Sequence, residues 1–116
     1  MRVLDTLPAN VAHRPFYVEK LKDMAERVAS LQGEDGLWRP GLLDAKIYPL
    51  PETSGSAFFL YALAWGVNHH VLQAPEFMTA IRRGWAGLVA NVYTDGRLGS
   101  VQPIGAAPGA YTAGAG

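Results

Sequence analysis

The sequence AFFLYALAWGV, which occupies residues 57–67, decides how this chain folds. A helix built from it is apolar on every face, and such a helix is buried on all sides in a folded protein. Alanine, leucine and the length of the segment favour a helix over the competing interpretation, a buried strand. We therefore predict a helix here that is surrounded by other elements.

Amphipathic helices are predicted on both sides of this apolar segment. Residues 16–32 and residues 75–92 both carry apolar side chains at three- and four-residue steps, with polar or charged side chains on the remaining positions. That spacing is typical of a surface helix with one buried face. Between the first amphipathic helix and the apolar helix, residues 33–53 form a long connector, and loops of this length in compact domains are often functional.

An internal repeat relates the two amphipathic helices at an offset of 60 residues. The matched positions include Pro15 with Pro75, Leu21 with Ile81, and the Asp-Gly pair at 35–36 with that at 95–96. Alternating half-buried and fully buried helices require an outer and an inner layer, as in helix-pair toroids. Leaving the inner helix uncovered would forfeit roughly 1.5–3 kcal/mol for each large apolar side chain. We predict an all-α fold of about two helix-pair units, an arc of a larger closed ring.

The composition excludes several classes of function. The chain has 116 residues, no cysteine and a formal net charge of zero. It therefore offers no disulfide, thiol nucleophile or zinc knuckle, and no charge signature for nucleic acid or anionic lipid. The longest apolar run is far shorter than the roughly 20 residues that span a bilayer, and no signal-peptide segment is visible. We expect no nucleic-acid or membrane partner and a cytoplasmic location.

Three longer motifs carry a resemblance to a known family. They are DGLWRP at 35–40, PETSGSAFF at 51–59 and YALAWGVN at 61–68, followed in order by WAGL at 85–88, DG at 95–96 and VQPIG at 101–105. In this order they resemble glycoside hydrolase families 105 and 88, the unsaturated rhamnogalacturonyl and glucuronyl hydrolases. We assign residues 1–108 to a partial domain of this type and residues 109–116 to a Gly/Ala-rich tail.

The resemblance implies an (α/α)6 barrel of six helix pairs, which agrees with the two layers expected from the sequence pattern. It also implies removal of a 4,5-unsaturated uronic acid from pectin-derived, rhamnogalacturonan-type oligosaccharides, by hydration of a vinyl ether without metal or cofactor. In this family the catalytic Asp lies in the N-terminal half, whereas the present chain resembles the C-terminal part. We therefore assign no catalytic residue here and expect the isolated chain to be inactive.

The connector over residues 34–56 is the expected rim of the substrate cleft, because ligands of helix-pair barrels sit where the inner helices begin. Trp38 could stack on a sugar ring, or it could pack against the end of the barrel. Arg39 could pair with a uronate carboxylate, or it could be a solvated surface residue.

Two further candidates stand immediately before the inner helix. Glu52 could accept sugar hydroxyls, or it could anchor the loop and favour the positive end of the helix dipole. Thr53 is the fourth candidate for substrate contact, although Thr53 and Ser54 are most simply read as helix N-caps.

The remaining acidic and histidine residues suit structural roles. Asp35 and Asp95 each precede glycine at equivalent repeat positions, which indicates turn chemistry. His69 and His70 are adjacent and do not share a helix face, so we expect no metal site. A second hypothesis for the whole chain is a non-catalytic helical module that binds carbohydrate or protein and self-associates through the exposed inner helix.

Overall fold

The computed structural model describes residues 2–103. This part of the chain forms four helices: α1 (Arg2–Thr6), α2 (Arg14–Ser30), α3 (Thr53–Asn68) and α4 (Ala74–Ala90). The one strand-like pairing among residues 2–103 is an isolated antiparallel bridge between Val92 and Leu98. The predicted all-α class is confirmed. Residues 104–108 of the predicted domain and the predicted tail at 109–116 lie outside the described residues.

The 60-residue repeat is confirmed by the helix bounds. Helices α2 and α4 are both 17 residues long and are displaced by 60 residues at both ends. Pro15 and Pro75 stand in their first turns, where a missing N–H leaves no helical hydrogen bond unmade. After each helix a glycine adopts a left-handed conformation, with φ of 83° at Gly36 and 87° at Gly96. Each unit is thus a proline-started helix followed by a glycine turn.

Helix α3 is the apolar segment and packs chiefly on α4. Glycine at position 84 allows this close approach, because a Cβ there would lie 3.2 Å from the Leu60 side chain. The buried core contains residues from α2, α3, α4 and the loops, namely Ala25, Trp38, Leu63, Leu72 and Phe77. The core therefore forms where α3 meets the outer helices and the long connector.

The described residues do not seal α3 from solvent. Phe58 remains 71% exposed and Tyr61 is also exposed, while Leu60 and Leu63 on the opposite side of the helix are buried. The helix is thus left uncovered around Phe58 and Tyr61, although Trp65 further along the same face is buried. Residues 2–103 by themselves therefore leave part of the 57–67 segment uncovered, in agreement with the predicted incomplete layer.

The far end of α3 is tied to α1. The Trp65 indole N–H donates to Asp5 Oδ1 at 2.8 Å, and His69 stacks on the Trp65 ring with centroids 4.2 Å apart. Within residues 2–103 no group of three potential metal ligands comes together. None of the four described helices has the length and apolarity to cross a membrane.

Candidate functional site

The connector between α2 and α3 and a second connector, residues 91–103 after α4, each contain a glycine turn and meet at the N-terminal end of α3. From the first connector, the Trp38 carbonyl accepts the Glu52 N–H at 3.0 Å. From the second, the Ser100 carbonyl accepts the Thr53 N–H, also at 3.0 Å. The start of the inner helix is therefore the point at which both repeat units converge.

The turn at residues 35–36 is closed by the carboxylate of Asp35. Asp35 Oδ1 accepts the Leu37 N–H at 3.1 Å and pairs with Arg39 Nη1 at 2.9 Å. Partial burial acts to raise the pKa of Asp35, but hydrogen bonds from the Arg39 side chain and the Leu37 backbone outweigh it and hold the pKa below its ordinary value. Asp35 is thus an ionised turn residue.

The second turn repeats this chemistry at Asp95. Its Oδ1 accepts the Arg97 N–H at 3.1 Å, and its Oδ2 accepts from Arg97 Nε at 2.8 Å. The hydrogen bond from the Arg97 side chain, followed by that from its backbone, lowers the pKa of Asp95. Both Asp-Gly pairs form turns, and the prediction of turn chemistry for them is confirmed.

Trp38 is a core residue of the connector. Its side chain is 1% exposed, its indole N–H donates to the Val28 carbonyl at 2.7 Å, and its ring meets Phe59 edge-to-face at 5.5 Å. No ring face is accessible to a sugar. The expectation that Trp38 stacks on substrate does not fit this burial, and the packing alternative does.

Arg39 is half-buried beside the first turn. Both hydrogen bonds that it makes within residues 2–103 use Nη1, one to Asp35 and a longer one of 3.3 Å to the Leu37 carbonyl. It is therefore not the freely solvated arginine of the alternative interpretation. The ion pair fixes one edge of the guanidinium against the turn.

Glu52 is the N-cap of α3. Its Oε1 accepts from the Ser54 N–H at 3.0 Å, the Ser54 hydroxyl at 2.6 Å and the Gln102 N–H at 3.2 Å, and its Oε2 accepts the Gly55 N–H at 2.5 Å. Partial burial acts to raise the pKa of Glu52, but these hydrogen bonds, led by that of the Ser54 hydroxyl, lower it overall. Glu52 therefore anchors the loop, as its structural alternative proposed.

Thr53 is fully buried inside the first turn of α3. Its hydroxyl donates to the Gly99 carbonyl at 2.6 Å. The prediction that Thr53 and Ser54 cap the helix is wrong, since the helix begins at Thr53 and Glu52 supplies the capping oxygens. A glutamate was not expected as cap because shorter side chains are preferred there.

Three polar residues that position the site were not predicted. The buried Ser56 hydroxyl donates to the Glu52 carbonyl at 2.6 Å and accepts the Trp38 N–H at 2.9 Å. The Gln32 amide bridges the carbonyls of Gly36 and Ala80. Arg83 donates to the Gly33 carbonyl at 2.8 Å. Each of the three has a partner that is distant in sequence, and spacing gave no signal for those contacts.

The carboxylates of this site are suited to hold structure, not to deliver a proton. A general acid must carry its proton near the working pH, whereas Asp35, Glu52 and Asp95 all have lowered pKa values. The arrangement provides a hydrogen-bonded rim in which the Arg39 guanidinium is partly accessible and that of Arg97 is largely exposed.

Comparisons with known proteins place the chain in a larger context. The model of Glycosyl Hydrolase Family 88 matches residues 1–114. An unsaturated 3S-rhamnoglycuronyl hydrolase of Formosa agariphila is 45% identical over 106 residues, which are 91% of this chain and 28% of that protein. A solved family 88 glycosyl hydrolase from Bacteroides vulgatus is similar with a TM-score of 0.89 and 34% identity, covering 92% of this chain and 31% of that one.

A further solved structure extends the likeness to a neighbouring family. A Salmonella enterica protein described as a possible member of glycoside hydrolase family 105 matches with a TM-score of 0.73 and 28% identity, over 86% of this chain and 25% of that one. Enzymes of these two families have an (α/α)6 barrel fold, and this chain covers a part of it. The chain spans between a quarter and a third of the length of each of these relatives.

Proposed function

The chain belongs to glycosyl hydrolase family 88, and from that membership we propose that it is one arc of an (α/α)6-barrel enzyme that removes a 4,5-unsaturated uronic acid from a rhamnose-containing oligosaccharide. The observation that carries the proposal is the 45% identity to the Formosa agariphila relative across 91% of the chain. Because the chain spans only 28% of that relative, the activity is proposed for the longer protein that such an arc would complete.

The proposed reaction is hydration of a vinyl ether. A carboxylic acid protonates the ring double bond at the carbon distant from the ring oxygen, and water adds to the carbon beside that oxygen. The resulting hemiketal opens, and the remaining oligosaccharide leaves. This route differs from that of glycosidases that use two carboxylates at the anomeric carbon.

The acid of this reaction is proposed to lie outside the present chain. The carboxylates at the rim are engaged by N–H and O–H donors, and those donors lower the pKa values of Asp35 and Glu52. Such groups are too weakly basic to hold a proton at neutral pH. We therefore expect the isolated chain to be inactive.

The four predicted substrate residues are proposed to act in two ways. Arg39 is the candidate for contact with the uronate carboxylate, because a guanidinium can present a second edge to a second carboxylate. Trp38, Glu52 and Thr53 are proposed to position the rim, since the Trp38 indole bonds to α2, Glu52 bonds to the start of α3 and to Gln102, and Thr53 bonds to Gly99.

The rhamnose side of the substrate, not the uronate, is where selectivity for a particular glycan must arise. Elimination across C4 and C5 makes C4 planar, so glucuronate and galacturonate yield the same unsaturated sugar. The family resemblance leads us to expect a pectin-derived substrate. Such a substrate differs from one derived from another glycan only in the sugars on the far side of the scissile bond.

A chimaera tests the proposal on a complete barrel. The matching 106-residue region of the Formosa agariphila relative is replaced by this chain, and loss of the double-bond absorbance of an unsaturated uronyl-rhamnose disaccharide is followed. We expect turnover by the chimaera and none by the isolated chain. Arg39→Gln in the chimaera should raise KM about tenfold or more, because it removes a charge-assisted contact.

The matched control is Arg27→Gln, an exposed charge on α2 away from the rim. It should leave both kcat and KM unchanged. A folded chimaera without turnover would contradict the hydrolase proposal, and turnover by the isolated chain would contradict the placement of the acid elsewhere.

The second candidate is a non-catalytic helical module that associates through α3. The exposure of Phe58 and Tyr61 favours it, because contiguous apolar surface of this kind usually marks an interaction site. Concentration-dependent association of the isolated chain, together with an inactive but folded chimaera, would favour this candidate.

A further inference from the structure

The Arg39 guanidinium keeps one of its donor edges available. Nη1 donates to Asp35 Oδ1 at 2.9 Å and to the Leu37 carbonyl at 3.3 Å, which engages both of its hydrogens. Within residues 2–103, Nε and Nη2 make no hydrogen bond, and the side chain is 19% exposed. The Nε–H and one Nη2–H of an arginine point in parallel, so this edge matches both oxygens of one planar carboxylate.

Gly33 lies directly against the bonds that hold Arg39. A Cβ at position 33 would stand 2.9 Å from Arg39 Nη1, 2.8 Å from Asp35 Oδ1 and 2.8 Å from the Leu37 carbonyl oxygen. These atoms are the donor and the two acceptors of the Nη1 hydrogen bonds, so a methyl group at position 33 would force them apart. We call Gly33, the Asp35 carboxylate and the Leu37 carbonyl the arginine seat.

The second repeat unit shows that the turn itself does not require glycine at this position. Tyr93 stands 60 residues after Gly33. The Tyr93 N–H donates to the Arg97 carbonyl at 2.8 Å, which is the bond that Gly33 makes to Leu37 at the same distance. The turn therefore closes equally well around a large side chain, and the glycine at position 33 needs another explanation.

The explanation is an exchange of a large and a small residue between the two units. The counterpart of Arg39 in the second unit is Gly99, and a Cβ at Gly99 would lie 2.9 Å from the Tyr93 hydroxyl oxygen. Glycine at position 99 thus makes room for tyrosine at 93, as glycine at position 33 makes room for arginine at 39. The first unit uses this space to hold a guanidinium.

We propose that the arginine seat makes Arg39 the residue that selects a free uronate carboxylate over its methyl ester. This inference rests on the proposed function, in which Arg39 contacts the uronate. The free carboxylate brings a charge and two equivalent oxygens to the Nε–Nη2 edge, whereas the ester has no charge and its methylated oxygen cannot occupy the fork. Gly33 and Asp35 are positioning residues, because they act by holding the guanidinium with that edge outward.

The test compares two substrates in the chimaera described above, the unsaturated uronyl-rhamnose disaccharide and its methyl ester. Esterification also withdraws electrons from the double bond, so the acid-to-ester ratio of kcat/KM in each variant is compared with that of the parent chimaera. Arg39→Gln should lower this ratio about tenfold or more, through a higher KM for the acid. Gly33→Ala should lower it about fivefold or more, because it displaces the same guanidinium.

A double variant distinguishes positioning from an independent structural role. Gly33→Ala combined with Arg39→Gln should give the same ratio as Arg39→Gln alone, since a positioning residue has no effect without the group that it positions. The matched control is Gly41→Ala in the same connector, where a Cβ would meet the Tyr48 ring, and it should leave the ratio unchanged. An active chimaera whose ratio is unaffected by Arg39→Gln would overturn the proposal, and so would multiplicative effects of the two substitutions.

A binding measurement on the present chain separates this inference from the proposed reaction. The Nε–H nuclear magnetic resonance signal of Arg39, assigned by its loss in Arg39→Gln, is followed as the disaccharide acid or its methyl ester is added. We expect the acid to shift the signal, the ester to leave it in place, and Gly33→Ala to abolish the shift. No response to the acid, or an equal response to both, would overturn the proposal. An acid-specific response beside an inactive chimaera would support the arginine seat and contradict the reaction.

Discussion

The side chain of Glu52 forms hydrogen bonds with several parts of the rim. It serves three backbone N–H groups, two in the first turn of α3 and one from Gln102 in the second connector. A cap that also joins two loops does more than a terminal cap does, because its loss releases both connectors.

Replacement of this cap should be measurable as lost stability. Glu52→Ala is expected to lower the free energy of unfolding by about 1–2 kcal/mol, because it leaves helix-terminal N–H groups without their acceptor. Urea unfolding followed by far-ultraviolet circular dichroism measures the change. Glu26→Ala, an exposed position on α2, is the control and should change the value by less than about 0.5 kcal/mol. Equal effects of the two substitutions would contradict the capping role.

The lowered pKa of Glu52 predicts a pH dependence of stability. The folded chain binds this proton less tightly than the unfolded chain, whose reference value is 4.5. The stabilisation is therefore fully present above about pH 4.5 and is lost as the pH falls through the lower, folded-state pKa. Melting temperatures measured from pH 7 down to 3 should fall more steeply for the native chain than for Glu52→Gln. Parallel curves would argue against this linkage.

The sequence predicted the burial and the partners of individual side chains less well than it predicted the helices. The burial of Trp38 depends on Val28 and Phe59, which reach it only after the connector has folded back on α2 and α3. Ser56 likewise bonds a backbone group 18 residues away. A side chain in a loop has no periodicity to indicate its environment, so the sequence left both stacking on sugar and packing against the barrel open.

At the level of elements, the periodicity of the sequence was sufficient. The predicted helix over 16–32 is observed as Arg14–Ser30, and that over 75–92 as Ala74–Ala90. The apolar segment is observed as the longer Thr53–Asn68, because its first turn contains small polar residues that carry no hydrophobic signal. A short helix, α1, lies before these elements.

The two glycine turns offer a matched pair of substitutions. Gly36 and Gly96 have nearly the same positive φ, but a Cβ at Gly36 would collide with the Arg83 carbonyl, whereas a Cβ at Gly96 meets nothing within 4 Å. Gly96→Ala should cost about 1–2 kcal/mol from backbone strain alone. Gly36→Ala should cost about 1–3 kcal/mol more, because the turn must also move away from α4.

Denaturant unfolding of both variants checks this difference. If Gly96→Ala proved as costly as Gly36→Ala, the close contact between the first turn and α4 would have no energetic consequence. That result would leave the left-handed backbone as the sole reason for glycine at both positions.

For the whole molecule, the apolar segment correctly predicted an incomplete layer. Its composition required cover on all sides, and the described residues leave Phe58 and Tyr61 exposed. The number of helix pairs and the reaction, in contrast, came from likeness to known proteins. The pattern of apolar residues shows that α3 needs further packing partners, but it does not identify them.

The uncovered side of α3 should govern association in solution. Phe58→Ser is expected to change the stability of the isolated chain by less than about 0.5 kcal/mol, because the side chain is largely in water. It should reduce concentration-dependent association, measured by light scattering. Phe59→Ser, which removes a side chain packed against the core, should instead cost about 2 kcal/mol or more. If Phe58→Ser left association unchanged, the surface responsible for association would lie elsewhere on the chain.

The bonds from Thr53 to Gly99 and Ser100 have a consequence for how the chain can be divided. The start of the inner helix of one unit is held by the turn of the following unit, so a fragment cut at the end of α4 would keep the four described helices and lose these bonds. A break in the exposed stretch at 43–47 would spare them. The smallest piece able to hold its shape is therefore one that straddles two repeats, and permuted or split versions of this arc should place their ends in the long connector.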